Sequence, residues 1–320
     1  MSLVINNGGE DLKLLFYNSN IIEKLEKSEC PLFSKNIRLK QIGKGKYGNV
    51  YDVYSNNKKT KYVVKEFNEN FILEDTEPNN KNKYILNNPI HAEYLLSLYM
   101  SSLNKPYFLK IYGFKKCDEV KYNKGFFTSI KHEFIFMDRV DTDLRTLKYY
   151  NNINEEQIFS IFFQVLNGII TYQKHKITHN DLTPANIFLV KGELERDKYI
   201  FKFTKNNKWI AKIGDWGFGI KTSKPMIVYR GIKEGFFEYL PEKQSYVYDF
   251  YKFLVYFMID FRNYKCIKII CELLCDRIKG FKDIINNNKD INKKVYDISF
   301  ENNYSIKDFI KEELIKNVFK

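Results

Sequence analysis

No stretch of the 320 residues approaches the run of about 18 apolar residues that a membrane-spanning helix requires, so no membrane span is expected. Cysteine is scarce as well. Cys30, Cys117, Cys266, Cys271 and Cys275 form an odd set with no CxxC pair, which argues against a zinc site or a disulfide framework. Cys266, Cys271 and Cys275 are expected to line a buried helix face as reduced thiols, the state of an intracellular, cytoplasmic chain. The opening MSLVINNGGEDLK lacks a basic region and an apolar core, so no signal peptide is expected, and Ser2 stands where myristoylation needs glycine. What the chain has in excess is positive charge. Its 52 Lys and Arg against 39 Asp and Glu leave +13, which attracts phosphates, acidic peptides or anionic surfaces without selecting one. The lysines are dispersed, so no dedicated nucleic-acid site is expected.

Apolar residues at 44% and aromatics at 17% are a globular composition, long enough for two domains or one two-lobed domain. Residues 1–36 carry Leu12, Leu15, Ile22 and Leu25 at roughly helical spacing and read as a packed helical extension. LKQIGKGKYGNVYDVY follows, with Gly43, Gly45 and Gly48 as GxGxxG. Glycines let backbone N–H groups approach phosphate oxygens. A dinucleotide fold would place a helix straight after them, whereas Val50, Tyr51, Val53 and Tyr54 favour a second strand, so a glycine-rich hairpin is expected. Lys65, in KYVVKEF one strand later, is a candidate phosphate ligand; alone it would read as a solvated lysine. After a polar insertion at about 74–89, the apolar stretch 90–103 predicts a helix with one carboxylate, Glu93, for which Lys65 is the obvious cation. PYFLKIYGF and HEFIFMDRV predict a long hairpin ending at Met137, and the polar residues Asp138–Thr142 mark a boundary. Asp143 suits a sugar hydroxyl or the start of a helix.

Asn154 and Gln157 resemble a capping box before the apolar helix EEQIFSIFFQVLNGIITYQ. That helix leads to ITHNDLTPANIFL, in which polar residues lie between two apolar runs. Asp181 can accept a proton from a hydroxyl, and Asn186 can offer a carbonyl oxygen to a hard cation; Asp and Asn also favour plain turns. KIGDWGFGI places Asp215 at a strand end, where a second acid would complete an oxygen-rich magnesium site.

In order, GKGKYGNV, VVK, a helical Glu, HNDLTPAN, DWG and LPE resemble the eukaryotic-like protein kinase superfamily over about 37–260. The resemblance implies an α+β, bilobal fold: a small β-rich N-lobe at 37–137 with one key helix, a hinge at 138–142 and a larger, mainly helical C-lobe at 143–320. It implies ATP and Mg2+ as nucleotide and metal and a protein hydroxyl, most naturally Ser/Thr, as acceptor. Asp181 would be the base, and Lys65 and Glu93 the phosphate-binding pair. The nucleotide would lie against Ile42, Gly43, Lys44, Gly45, Lys46, Tyr47, Gly48, Asn49, Val50, Lys65, Met137, Asp138, Val140 and Asp143. Asn186 and Asp215 would hold magnesium, Glu242 would anchor the activation segment and Asp249 would match the αF aspartate.

The departures are as specific as the matches. Asn180 replaces the Arg of HRD, Thr183 the Lys two places after the catalytic Asp, and Phe236 a Thr that this Lys would bond. A cation near the γ-phosphate would have to come from elsewhere, and Lys221 and Lys224, just after DWGFG, are the candidates. Such divergence resembles kinases of large DNA viruses or intracellular bacteria, which would place the chain in a host cytoplasm or a virion. Two other readings are open: a nucleotide-binding pseudokinase acting through partners, and a small-molecule phosphotransferase of aminoglycoside or choline kinase type.

Overall fold

The computed structural model describes residues 37–45, 48–67, 83–86, 89–123, 126–149, 153–192, 208–222, 226–229, 245, 247–287 and 289–312. The chain divides into two compact units. One takes the described parts of Met1–Asn104, Leu109–Arg139 and Lys224–Arg230; the other takes the remainder.

The first unit is built on strands β1 (Ile37–Lys44), β2 (Gly48–Ser55) and β3 (Lys58–Phe67), strand β4 (Lys83–Leu86), helix α1 (Pro89–Ser102), and strands β5 (Ile111–Asn123) and β6 (Phe126–Asp138). Its five-stranded sheet runs β1-β2-β3-β6-β5, with every neighbouring pair antiparallel. Alternation of side chains across the pleat gathers Val53, Val64, Tyr112, Phe134 and Phe136 into one core cluster. Helix α1 buries Leu95, Leu96, Leu98 and Met100. The expected 106–140 hairpin forms, its pairing running from Ile111 opposite Met137 to Asn123 opposite Phe126. The 74–89 insertion is not wholly a loop: β4 pairs in parallel with the strand Met226–Tyr229.

The second unit begins with β7 (Thr142–Asp143) and the short helix α2 (Leu144–Leu147), then the 20-residue α3 (Glu155–Lys174) and β8 (Ile177–Thr178). A 3-10 turn at Pro184–Asn186 leads into β9 (Ile187–Lys191), β10 (Trp209–Ile213) and β11 (Ile220–Lys221). The helices α4 (Tyr248–Phe261), α5 (Lys265–Arg277), α6 (Phe281–Asn286), α7 (Ile291–Glu301) and α8 (Ile306–Lys311) follow. The expected capping box starts α3, with Asn154 and Gln157 each satisfying the other's backbone N–H. Helix α3 is buried over most of its length and grips β10: the Gln164 amide donates to Trp209 O at 2.9 Å and accepts from Ala211 N at 2.7 Å. Gly168 permits this approach, since a Cβ there would lie 2.5 Å from Ile213 Cδ1. Phe162 of α3 packs on Phe253 and Phe257 of α4, which makes α4 the centre of the helical core.

The cysteines depart from expectation. Cys266, Cys271 and Cys275 are only half-buried, because Ile267, Ile270 and Leu274 form the inward stripe of α5. Spacings of five and four fit a helix, but the more apolar neighbours took its buried side. The 1–36 extension, Phe236 and LPE lie outside the described residues.

Candidate active site

The glycine-rich hairpin is present. Gly43 lies opposite Val50 and Lys44 opposite Asn49, with a bulge between Gln41 and Gly43, and Gly45 N donates to Gly48 O at 2.8 Å. Gly48 has no room for a side chain, since a Cβ would lie 1.9 Å from Glu66 O of β3. The Gln41 amide donates to Asn49 Oδ1 at 3.2 Å, bracing the two strands, and Ile42 is exposed. Lys46 and Tyr47 lie outside the described residues.

Lys65 sits on β3 opposite Val50 on one side and Ile135 on the other. Its Nζ donates to both carboxylate oxygens of Glu93 on α1, each at 2.8 Å. Glu66, the next residue, points to the opposite face and accepts from Tyr51 Oη at 2.7 Å, with His132 Nδ1 2.8 Å away. Burial, together with the bond to Glu66, pushes the Tyr51 phenol up to about 12. At the end of β6, Met137 is half-buried, and Asp138 accepts from Tyr112 Oη while its N–H donates to Lys110 O at 2.9 Å.

In the second unit the loop 179–186 is held by side chains on every side. His179 is fully buried; its Nδ1 accepts from Asp181 N at 3.3 Å and its Nε2 faces Gly214 O at 2.9 Å, so Nε2 carries the proton. The ring packs against Trp216 at 4.6 Å. Asp249, near the start of α4 and fully buried, accepts from His179 N at 2.6 Å, Asn180 N at 2.8 Å and Tyr172 Oη at 3.0 Å. Burial and this carboxylate raise the Tyr172 pKa well above the ordinary phenol value. Asn180, at φ 64°, uses its side chain to donate to Phe218 O at 2.9 Å, tying the loop to the DWGFG segment. Asp181 is held at both oxygens: Lys252 Nζ lies 2.9 Å from Oδ1, and Asn186 Nδ2 lies 3.0 Å from Oδ2. Asn186 Nδ2 also donates to Asp181 O at 2.8 Å, and Gly214 N donates to Asn186 O at 3.1 Å. Asp215 has φ 61°, a left-handed conformation that Asp and Asn tolerate best among side-chain-bearing residues.

The family model for the protein kinase domain matches residues 37–232. The chain belongs to the protein kinase family. No curated protein sequence matches it.

As in a kinase, five of the six motifs fall on the elements expected of them: glycines on a hairpin, Lys65 on the next strand, Glu93 on a helix, and Asp181, Asn186 and Asp215 on loops between short strands. Asp143 caps α2, its two oxygens accepting from Thr146 N at 2.9 Å and Thr146 Oγ1 at 2.8 Å. Capping leaves each oxygen a further lone pair, so the role at the helix start and a sugar contact are compatible. Val140 lies just past β6 and is half-buried.

Lys252 was not legible as a site residue. It lies within YDFYKFLVYFMIDF, where a lysine reads as one charge on an otherwise apolar helix. The signal was its spacing: three residues after Asp249, it shares that residue's helix face. Lys221, the cation expected from sequence, is buried in β11 opposite Ile177. Lys224 lies outside the described residues.

Proposed function

We propose that the chain is an ATP- and Mg2+-dependent protein kinase that transfers the γ-phosphate to a protein hydroxyl, Ser or Thr by the resemblance of its motifs. The arrangement around Asp181 carries this reading. A carboxylate held at both oxygens, on a loop anchored by a buried Asp249, is a positioned proton acceptor rather than a turn residue. Its task is to take the proton of the attacking hydroxyl as the P–O bond to the acceptor forms. Lys65, kept extended by Glu93, offers charge to the α- and β-phosphates, and the hairpin backbone offers N–H groups to the β- and γ-phosphates.

The donor set suits magnesium. With Asn186 Nδ2 committed to Asp181, its carbonyl oxygen is the atom left for a hard cation, and the Asp215 carboxylate is a second oxygen donor. When bound, the ion neutralises charge on the β- and γ-phosphate oxygens. The net charge of +13 favours an acidic protein substrate, and among the described residues no helix is long and apolar enough to cross a membrane.

Radiolabelled ATP with a generic protein substrate, a panel of aminoglycosides and choline, and no substrate tests the reading. The wild type should label protein, and Asp181→Asn should lower kcat by about 1,000-fold or more. Labelling of small molecules alone would favour the phosphotransferase reading. Nucleotide binding without transfer, equal in wild type and Asp181→Asn, would favour the pseudokinase.

A further inference from the structure

The loop around Asp181 carries no cation of its own: between His179 and Asn186 the residues are Asn180, Asp181, Leu182, Thr183, Pro184 and Ala185. Yet an ammonium group lies against it. Lys252 Nζ donates to Asn180 O at 3.0 Å and to Asp181 Oδ1 at 2.9 Å. The lysine is buried, at 3% exposure, whereas the Asp181 side chain is 37% exposed and so remains open to solvent and substrate. A buried lysine is costly unless paired, and long stems normally carry the charge out to water. Here the stem stays inside helix α4's packed face and the charge is directed at one carboxylate.

The same turn of α4 presents both charges to the loop. Asp249 accepts from the backbone N–H groups of His179 and Asn180, and Lys252 donates to the backbone carbonyl of Asn180 and to Asp181 itself. The backbone bonds alone would hold the loop's path. The bond to Oδ1 does something more, because it fixes the rotation of the Asp181 side chain. With Oδ1 on Lys252 and Oδ2 on Asn186, the carboxylate plane is fixed at two points before any substrate arrives.

We propose that Lys252 is a positioning residue for phosphoryl transfer: from helix α4 it supplies the positive charge that the catalytic loop lacks, and acts through Asp181. The proposal rests on the reading of Asp181 as the base. Because Lys252 orients the acceptor carboxylate rather than the nucleotide, its loss should appear in kcat and not in the KM for ATP. Thr183 offers a place to return the charge. Its N–H donates to the backbone carbonyl of Asp181 at 2.8 Å, so a lysine there would start from the same turn of the loop as Asp181.

The test compares wild type, Asp181→Asn, Lys252→Met, Lys252→Gln and the double variant Lys252→Met/Thr183→Lys in one protein-labelling assay, with thermal unfolding and nucleotide binding measured on each. Lys252→Gln keeps a donor for the Asn180 carbonyl without the charge, so it remains informative if the methionine variant fails to fold. The expected result is a fall in kcat of at least about tenfold in the folded Lys252 variants, with ATP KM within about twofold. Lys252→Met/Thr183→Lys should recover at least about a third of the wild-type rate. A purely structural lysine would not be rescued from position 183. If wild type labels protein and Asp181→Asn does not, but Lys252→Gln works at the wild-type rate, the positioning role is overturned and the kinase reading stands. The role is equally overturned if kcat falls only in step with lost folding or nucleotide binding, or if Thr183→Lys restores nothing. A wild type that transfers no phosphate overturns both.

Discussion

The two units solve the same problem, a charge held inside a protein, in different ways. In the first, Lys65 and Glu93 answer each other directly across a strand and a helix 28 residues apart, and both are partly screened by solvent at 14% and 9% side-chain exposure. In the second, no residue of the 179–186 loop answers Asp181 with a charge. Support comes from α4, about 70 residues later, where Asp249 and Lys252 bond to the loop's backbone as well as to a side chain. The first arrangement is a direct pair between one strand and one helix. The second is part of the packed core, so its chemistry and its stability are harder to separate.

The largest expected effect breaks the second arrangement. Asp249→Ala would leave His179 N–H, Asn180 N–H and Tyr172 Oη without their carboxylate in a fully buried place. At about 1–3 kcal/mol for each unsatisfied donor, urea unfolding should show a loss of at least about 3 kcal/mol, along with loss of phosphoryl transfer. A loss under about 1 kcal/mol would mean that α4 does not hold the loop.

A smaller effect sharpens the contrast at the first pair. Lys65→Met takes the ammonium away from the largely buried Glu93 carboxylate and should cost about 1–3 kcal/mol. Adding Glu93→Gln should return part of that stability while leaving transfer abolished, because a neutral amide is cheaper to bury than an unpaired charge. If the double variant is no more stable than Lys65→Met, the lost ammonium is not what destabilises that variant.

The same contrast explains what the sequence could reveal. The glycine hairpin, the Lys65–Glu93 pair and the capping box of α3 were legible because their residues act within one strand, one turn or one strand–helix step. Asp249 was legible only through the resemblance. Lys252 was not, because its partner is 71 residues away and its spacing of three from Asp249 has meaning only once the face that Asp249 presents is known. Sequence order points to Lys221, just after DWGFG, whereas the ammonium group that meets Asp181 comes from α4. Tyr51, Glu66 and His132 escaped notice for the same reason: their meeting requires the register of β2, β3 and β6, which no single segment encodes.

The smallest expected effect concerns His175, at the end of α3, where the chain turns toward the Asp181 loop. Burial lowers its pKa from the ordinary 6.5, and Lys221 and then Lys174 lower it further. In the unfolded chain the ring is freed from burial and from Lys221 and titrates at about 6.5. Between that value and the lower folded value, the unfolded state binds more protons, so folding stability falls as pH drops through this window. Above 6.5 the ring is neutral in both states and contributes no slope. Urea unfolding at pH 7.5, 6.5 and 5.5 should therefore show a decline that His175→Gln reduces, since glutamine does not titrate. Lys221→Met should also reduce it by removing one of the two repelling charges. An unchanged pH slope in both variants would show that neither the burial of the ring nor the lysine beside it governs that titration.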